Sequence, residues 1–282
     1  MYFPFFCYFL WWMLLMLSIC VDAVQETTDG PLQPLPQELN NDDSEWCEDP
    51  FSSHVKCSRL RDCGDIKSSS FSTLLSGVYE IHPFGAPSAF QVYCDFDIDG
   101  GGWTVIQRRV DGSVDFERGW NDYKCGFGSL DSEFWLGNEK MSLMTAQRKY
   151  ELRIELTGKE SYPRHAKYSS FRIGDESTFY RLYLGTYSGN AGGKYNSLDY
   201  HRGMSFTTRD ADHDNHGAGN CVTDEGHSGA WWFQACDQSN LNGVYGVDTD
   251  QRPGGIEWDG HPGGSNGLKF TEMKIRAVEV DR

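Results

Sequence analysis

The run Asp210-Ala211-Asp212-His213-Asp214-Asn215-His216-Gly217 sets three carboxylates at alternating positions and follows them with glycine. Carboxylates two apart on an irregular loop can converge on one hard cation, with backbone carbonyls completing an oxygen shell. An EF-hand does not fit: counting from Asp210, the sixth position is Asn215 instead of Gly and the twelfth is Cys221 instead of Glu. His213 and His216 add imidazoles, but no cysteine or third ligand is placed to complete a zinc set. Spacing alone leaves a calcium loop and a solvated acidic turn equally open. Next along the chain, Cys221 and Cys236 flank Gly229-Ala230-Trp231-Trp232-Phe233. Paired, they would close a loop of about 15 residues, worth roughly 3 kcal/mol in the chain-entropy account. Adjacent tryptophans serve either as a ligand platform or as core, and core is the expectation for at least one of them. No Ser-His-Asp or Cys-His grouping occurs at a motif, so the sequence points to no catalytic residue and to a non-enzymatic role.

Composition says where such a loop would operate. The 282 residues carry 41 acidic against 25 basic side chains, a formal charge of −16. Nucleic acid is excluded as a partner, because phosphate binding needs a basic footprint. Thirty-one glycines, nine tryptophans and nine cysteines argue for a loop-rich, cross-linked extracellular fold. Residues 1–17 are almost wholly apolar and Ser18 to Ala23 are small and more polar, which reads as a signal peptide over residues 1–23 cleaved after Ala23. The expected product is secreted, with no stable membrane insertion. Removing Cys7 and Cys20 leaves seven cysteines, an odd number in an oxidising compartment. No Asn-x-Ser/Thr sequon occurs. Residues 24–56 read as a flexible acidic leader: Val24 to Pro50 holds eight acidic residues and no Lys or Arg, and Lys56 is the first basic residue of the chain. The leader shows neither Gly-X-Y triplets nor apolar heptads, so collagen and coiled-coil arms are not expected.

The elements that would hold the loop follow. Tyr150, Leu152, Ile154 and Leu156 alternate with Glu151, Arg153 and Glu155, the period of a strand with one buried face. Trp103 to Val110 and Phe179 to Tyr187 read as further strands, and Lys140 to Lys149 as a helix. Leu268 and Phe270 share one phase while Met273 and Ile275 share the other, which a bulge near Thr271 reconciles. Seventeen glycines lie between Gly185 and Gly267 with little alternation, a length of loop that is usually functional.

Several ordered motifs resemble one family. They include Val92-Tyr93-Cys94-Asp95, Asp99-Gly100-Gly101-Gly102-Trp103-Thr104, Glu133-Phe134-Trp135-Leu136-Gly137-Asn138-Glu139, Gly229 to Phe233, Ser239-Asn240-Leu241-Asn242-Gly243 and Thr271-Glu272-Met273-Lys274-Ile275-Arg276. Over about residues 57 to 278 the sequence resembles the fibrinogen C-terminal domain shared by fibrinogen chains, ficolins, tachylectins, angiopoietins and tenascins. The resemblance implies an α+β fold over residues 57–282. It would have a central twisted antiparallel sheet, short helices and a loop-rich C-terminal subdomain that binds calcium and ligand. It implies disulfides Cys63 to Cys94 and Cys221 to Cys236. It implies Ca2+ held by Asp212 and Asp214 with the carbonyls of His216 and Ala218 or, counting back from Cys221, of Gly217 and Gly219.

Family lectins hold an acetyl group in an aromatic funnel beside the calcium loop, with His after the last cysteine; here Asp237 stands there. The family's aromatic residue before Gly255-Ile256-Glu257-Trp258 is Arg252, and Asp224 and Glu225 lie in a lengthened inter-cysteine loop. A polar or cationic ligand is therefore expected, met by Asp237, Tyr245, Arg252 and Trp258. The implied function is recognition of glycans or acetylated or polar groups on microbial or cell surfaces, as in innate-immune lectins. The alternative is a protein-receptor ligand or adhesion and matrix factor of the angiopoietin and tenascin kind. With the two family disulfides assigned, Cys47 could pair with Cys57, leaving Cys125 unpaired to link two chains as a homo-oligomer.

Overall fold

The computed structural model describes residues 46–49, 52–56, 59–158, 162–192, 197–217, 219–247, 254–260 and 268–278. The signal-peptide expectation, and those on Ala218 and Arg252, lie outside the described residues. The chain divides into two compact units, Met1–Cys57 and Ser58–Arg282. In the first, β1 (Trp46–Asp49) pairs antiparallel with β2 (Ser52–Lys56) through Trp46↔Lys56 and Cys47↔Val55. The last part of the stretch read as flexible leader is thus a hairpin. Its pairing runs through backbone groups, which apolar content does not measure.

In the second unit the order is α1 (Cys63–Ser69), β3 (Gly77–Ile81), β4 (Phe90–Asp95), β5 (Trp103–Arg109), α2 (Trp120–Cys125), β6 (Phe127–Gly128), β7 (Phe134–Trp135) and α3 (Asn138–Gln147). Then come β8 (Tyr150–Gly158), β9 (Arg164–Ile173), β10 (Leu182–Leu184), β11 (Tyr187–Gly189), β12 (Ser239–Asn240), β13 (Glu257–Trp258) and β14 (Leu268–Ala277). One antiparallel sheet runs β10-β9-β8-β14-β5-β4-β3, with β11 on β9 and β7 on β5, so the C-terminal strand sits at its centre. Few short helices beside a large antiparallel sheet make this an α+β fold.

Alternation in β8 does what period two requires: Tyr150, Leu152, Ile154 and Leu156 are fully buried and Glu151, Arg153 and Glu155 half-buried. The phase change in β14 arrives as two irregularities flanking Thr271, between Leu268 and Phe270 against β8 and between Met273 and Lys274 against β5. α3 begins two residues before its expected start. It stops at Gln147 because Arg148 is already extended toward β8.

Phe179 to Tyr187 is not one strand. A short 3-10 turn, Glu176–Thr178, leads into Phe179 and Tyr180 at φ 53° and 50°, a left-handed corner that strand geometry cannot pass through, and pairing resumes only at Leu182. Packing holds the corner: Tyr180 is fully buried with its hydroxyl donating to Glu139 (2.8 Å), and Phe179 stacks on His213 at 3.9 Å.

Trp103, Trp135, Trp231, Trp232 and Trp258 are all buried, so both members of the adjacent pair are core and neither is a platform. Charges are also enclosed. Lys274, with no exposed surface, meets Asp95 at 2.5 Å and Glu272 at 2.6 Å, and Arg108 reaches Glu272 at 2.6 Å. Cys63 pairs with Cys94, and Cys221 with Cys236. Cys125, at the end of α2, is disulfide-bonded as well. The expectation that it is left over to bridge two chains is corrected, because its sulfur is already committed.

Candidate functional site

Asp210, first of the three alternating carboxylates, turns away from the others. Its Oδ1 accepts from Trp120 N–H (2.9 Å) and from the Thr208 hydroxyl (2.6 Å). Asp212 and Asp214 stay together: Asp214 N–H donates to Asp212 Oδ1 (3.2 Å), His216 N–H to Asp214 Oδ1 (2.8 Å) and Cys221 N–H to Asp214 Oδ2 (2.8 Å). Partial burial and then the neighbouring Asp212 charge push the Asp214 carboxyl above its ordinary range, with two backbone donors and His216 pulling the other way. An all-oxygen donor set with surplus negative charge is what a hard dication such as calcium fits. His213 belongs elsewhere, its Nδ1 on the Phe206 carbonyl at 3.0 Å and its ring against Phe179 and Trp120. His216 Nε2 faces Glu225 Oε1 at 3.1 Å.

The Cys221 to Cys236 bond carries this loop to a second cluster. The peptide joining Ala235 to Cys236 is cis, and Asp237 follows. Fully buried His201 holds that corner: its Nδ1–H donates to the Trp232 carbonyl (2.8 Å), while Nε2 accepts from Gln238 and Ser239 N–H (both 3.3 Å). Burial pushes its pKa down to about 4, so it is neutral near pH 7.

Beyond the corner β12 pairs with β13 through Ser239↔Trp258 and Asn240↔Glu257, bringing Glu257 beside Asp237. His227 completes the group from the inter-cysteine loop. Its Nδ1 lies 3.1 Å from Asp237 Oδ2 and 4.0 Å from Glu257 Oε1. That loop is braced by Asn240, whose amide donates to the Ser228 carbonyl (2.8 Å), and by the Ser228 hydroxyl on the Gly254 carbonyl.

Two of the other residues expected at the ligand, Trp258 and Tyr245, are described. Trp258 is buried, its indole N–H donating to the Ala191 carbonyl at 3.1 Å. Tyr245 lines a different cavity, of about 320 Å³, with Arg109, Gly112 and Asn242. Its hydroxyl lies 2.6 Å from the Val110 carbonyl and 2.9 Å from that of Lys269.

Residues 59–278 match the sequence profile of the fibrinogen beta and gamma chains, C-terminal globular domain. The chain belongs to the fibrinogen C-terminal domain family. It is 46% identical over 218 residues to fibrinogen-like protein A of Apostichopus parvimensis, covering 77% of this chain and 75% of that protein. It is 45% identical to human angiopoietin-1 over 78% of this chain but only 43% of the angiopoietin. Among solved structures, the fibrinogen-like globe domain of human ANGPTL2 superposes with a TM-score of 0.72 at 42% identity, covering 78% of this chain and all of that domain.

Within this fibrinogen-like domain, His201, His227 and Glu257 escape a reading of sequence alone. His227 is ten residues from Asp237 and Glu257 a further twenty on, so no local spacing joins them. The one signal was Asp237 itself, an acid standing where the family's lectins have a histidine.

Proposed function

We propose that this chain is a secreted, non-enzymatic recognition protein whose calcium-stabilised fibrinogen-like domain binds glycans, or acetylated or polar groups, on microbial or cell surfaces. In this reading residues 1–23 direct secretion and residues 24–56 tether the domain. The supporting observation is continuity: Asp214 accepts from Cys221 N–H, Cys221 is bonded to Cys236, and Asp237 is next in the chain. Asp212 and Asp214 would hold the cation, with carbonyls from His216 and Ala218 or from Gly217 and Gly219. Calcium supplies the positive charge this pair of carboxylates lacks. Whatever fixes Asp214 then also fixes Asp237, the start of the ligand surface that Arg252, Tyr245 and Trp258 extend or support.

A glycan array probed with the full-length protein, with and without chelator, tests this. Binding should vanish with chelator and in Asp214→Asn, and return with calcium only in the wild type. The 45% identity to human angiopoietin-1 supports a second reading, a ligand for a protein receptor. Binding to cells that survives removal of surface glycans, with a blank array, would replace the first reading by the second.

A further inference from the structure

His227, Asp237 and Glu257 each offer one ligand atom, and the three atoms lie within 4.8 Å of one another. The Asp237 side chain is 4% exposed, yet its Oδ2 has no hydrogen-bond partner. His227 Nδ1 and Glu257 Oε1 are likewise buried without one. At 3.1 Å the imidazole and Asp237 are close enough for a hydrogen bond but lie out of line for it. Three buried polar atoms that face one another without bonding are costly unless something between them bonds all three.

The charges suit a cation. With both carboxyls ionised, two carboxylates against one imidazole leave net negative charge whichever state the ring takes. The further charges acting on the cluster, Glu225 and Asp259, are also acidic. With a neutral ring, two carboxylates balance one dication.

We propose that His227 Nδ1, Asp237 Oδ2 and Glu257 Oε1 form a site for a borderline first-row dication of the zinc class, separate from the oxygen-only loop at Asp212 and Asp214. One imidazole nitrogen with two carboxylate oxygens is a zinc-type donor set, whereas calcium takes oxygen alone. Zinc bonds of about 2.0–2.1 Å in a tetrahedron put ligand atoms about 3.3–3.4 Å apart. The observed 3.1 and 4.0 Å bracket that spacing. Three segments present the ligands independently: the inter-cysteine loop, the corner fixed by His201, and β13. His227 and Glu257 keep 16% and 24% of their side-chain surface exposed, so the fourth position faces outward, open to water or to an anionic or hydroxylated ligand.

The inference does not depend on the glycan reading, since metal binding is measured without saccharide.

The test is calorimetric titration of the metal-stripped full-length protein with Zn2+ in saturating Ca2+, repeated with Co2+ to read the visible absorption of a four-coordinate site. One zinc per chain is expected. Affinity should fall at least about tenfold in each of His227→Gln, Asp237→Asn and Glu257→Gln, since even residues behind a ligand are worth about 10–100-fold. Near-UV circular dichroism of each variant verifies the fold, and a variant that fails it is replaced by Asp237→Ser. The pair Asp212→Asn with Asp214→Asn should keep its zinc. Absence of zinc binding in calcium overturns the proposal. So does zinc affinity indifferent to all three substitutions, or zinc lost only with Asp212 and Asp214.

Discussion

Glu133 has no exposed side-chain surface, yet it is fully employed. Oε1 accepts from Val110, Asp111 and Gly112 N–H at 2.7–3.1 Å, Oε2 from Val114 N–H at 3.0 Å, and Arg109 Nε stands 3.7 Å away. Burial works to raise this carboxyl, but the backbone donors and Arg109 outweigh it and hold it below its usual range. Its contribution is present above the unfolded value of about 4.3 and is lost as pH falls through the depressed folded value. Glu133→Gln turns an acceptor oxygen into a donor facing donors, and should cost about 3 kcal/mol in urea unfolding at pH 7. A loss under about 1 kcal/mol would show that this carboxylate does not organise the Val110 to Val114 turn. Neither Glu133 nor Lys274 announces its role in the sequence, because a charged residue in or beside a strand reads as solvent-facing. The N–H groups that Glu133 accepts lie 19 to 23 residues earlier, and Lys274 reaches Asp95 179 residues away.

Regular pairing was legible among the elements where period two held, as in β8, and at α3 to within two residues. It was illegible where a corner depends on distant packing: Phe179 and Tyr180 have strand-forming side chains and turn only because Glu139 and His213 take them. The corner at Asp237 is of the same kind, since His201 holds it from 36 residues earlier in the chain. That dependence has a pH signature. The buried imidazole titrates near 4 when folded and near 6.5 when unfolded, so between those values the unfolded chain binds more protons and stability falls as pH drops. A shift of this size is worth up to about 3 kcal/mol at about 1.4 kcal/mol per unit, all of it spent by pH 4 and none of it above 6.5. Urea unfolding between pH 4 and 7 should show that slope in the wild type. It should be shallower in His201→Gln, which is also less stable at pH 7. Equal slopes would mean the ring is already protonated in the fold.

At the scale of the molecule, the family resemblance made the fold and the Cys63–Cys94 and Cys221–Cys236 disulfides legible, though not the bond at Cys125, and composition indicated a cross-linked chain. What sequence could not supply is which of its many carboxylates gather in space. The two clusters predict separable responses. Removing calcium should lower the thermal midpoint through Asp212 and Asp214, by the equivalent of about 2.7 kcal/mol where calcium had stood at 100 times its dissociation constant. Asp214→Asn should abolish that calcium-dependent increment in differential scanning calorimetry, while His227→Gln leaves it intact. A chelator effect unchanged in Asp214→Asn would move the cation away from this loop. The enclosed indoles, finally, decide how such experiments can be followed. Of the six tryptophans whose side chains are described, only Trp120 retains appreciable solvent contact. Emission from the folded domain is therefore set largely by its interior, and its wavelength moves when the core opens. Fluorescence is a gauge of unfolding for this domain.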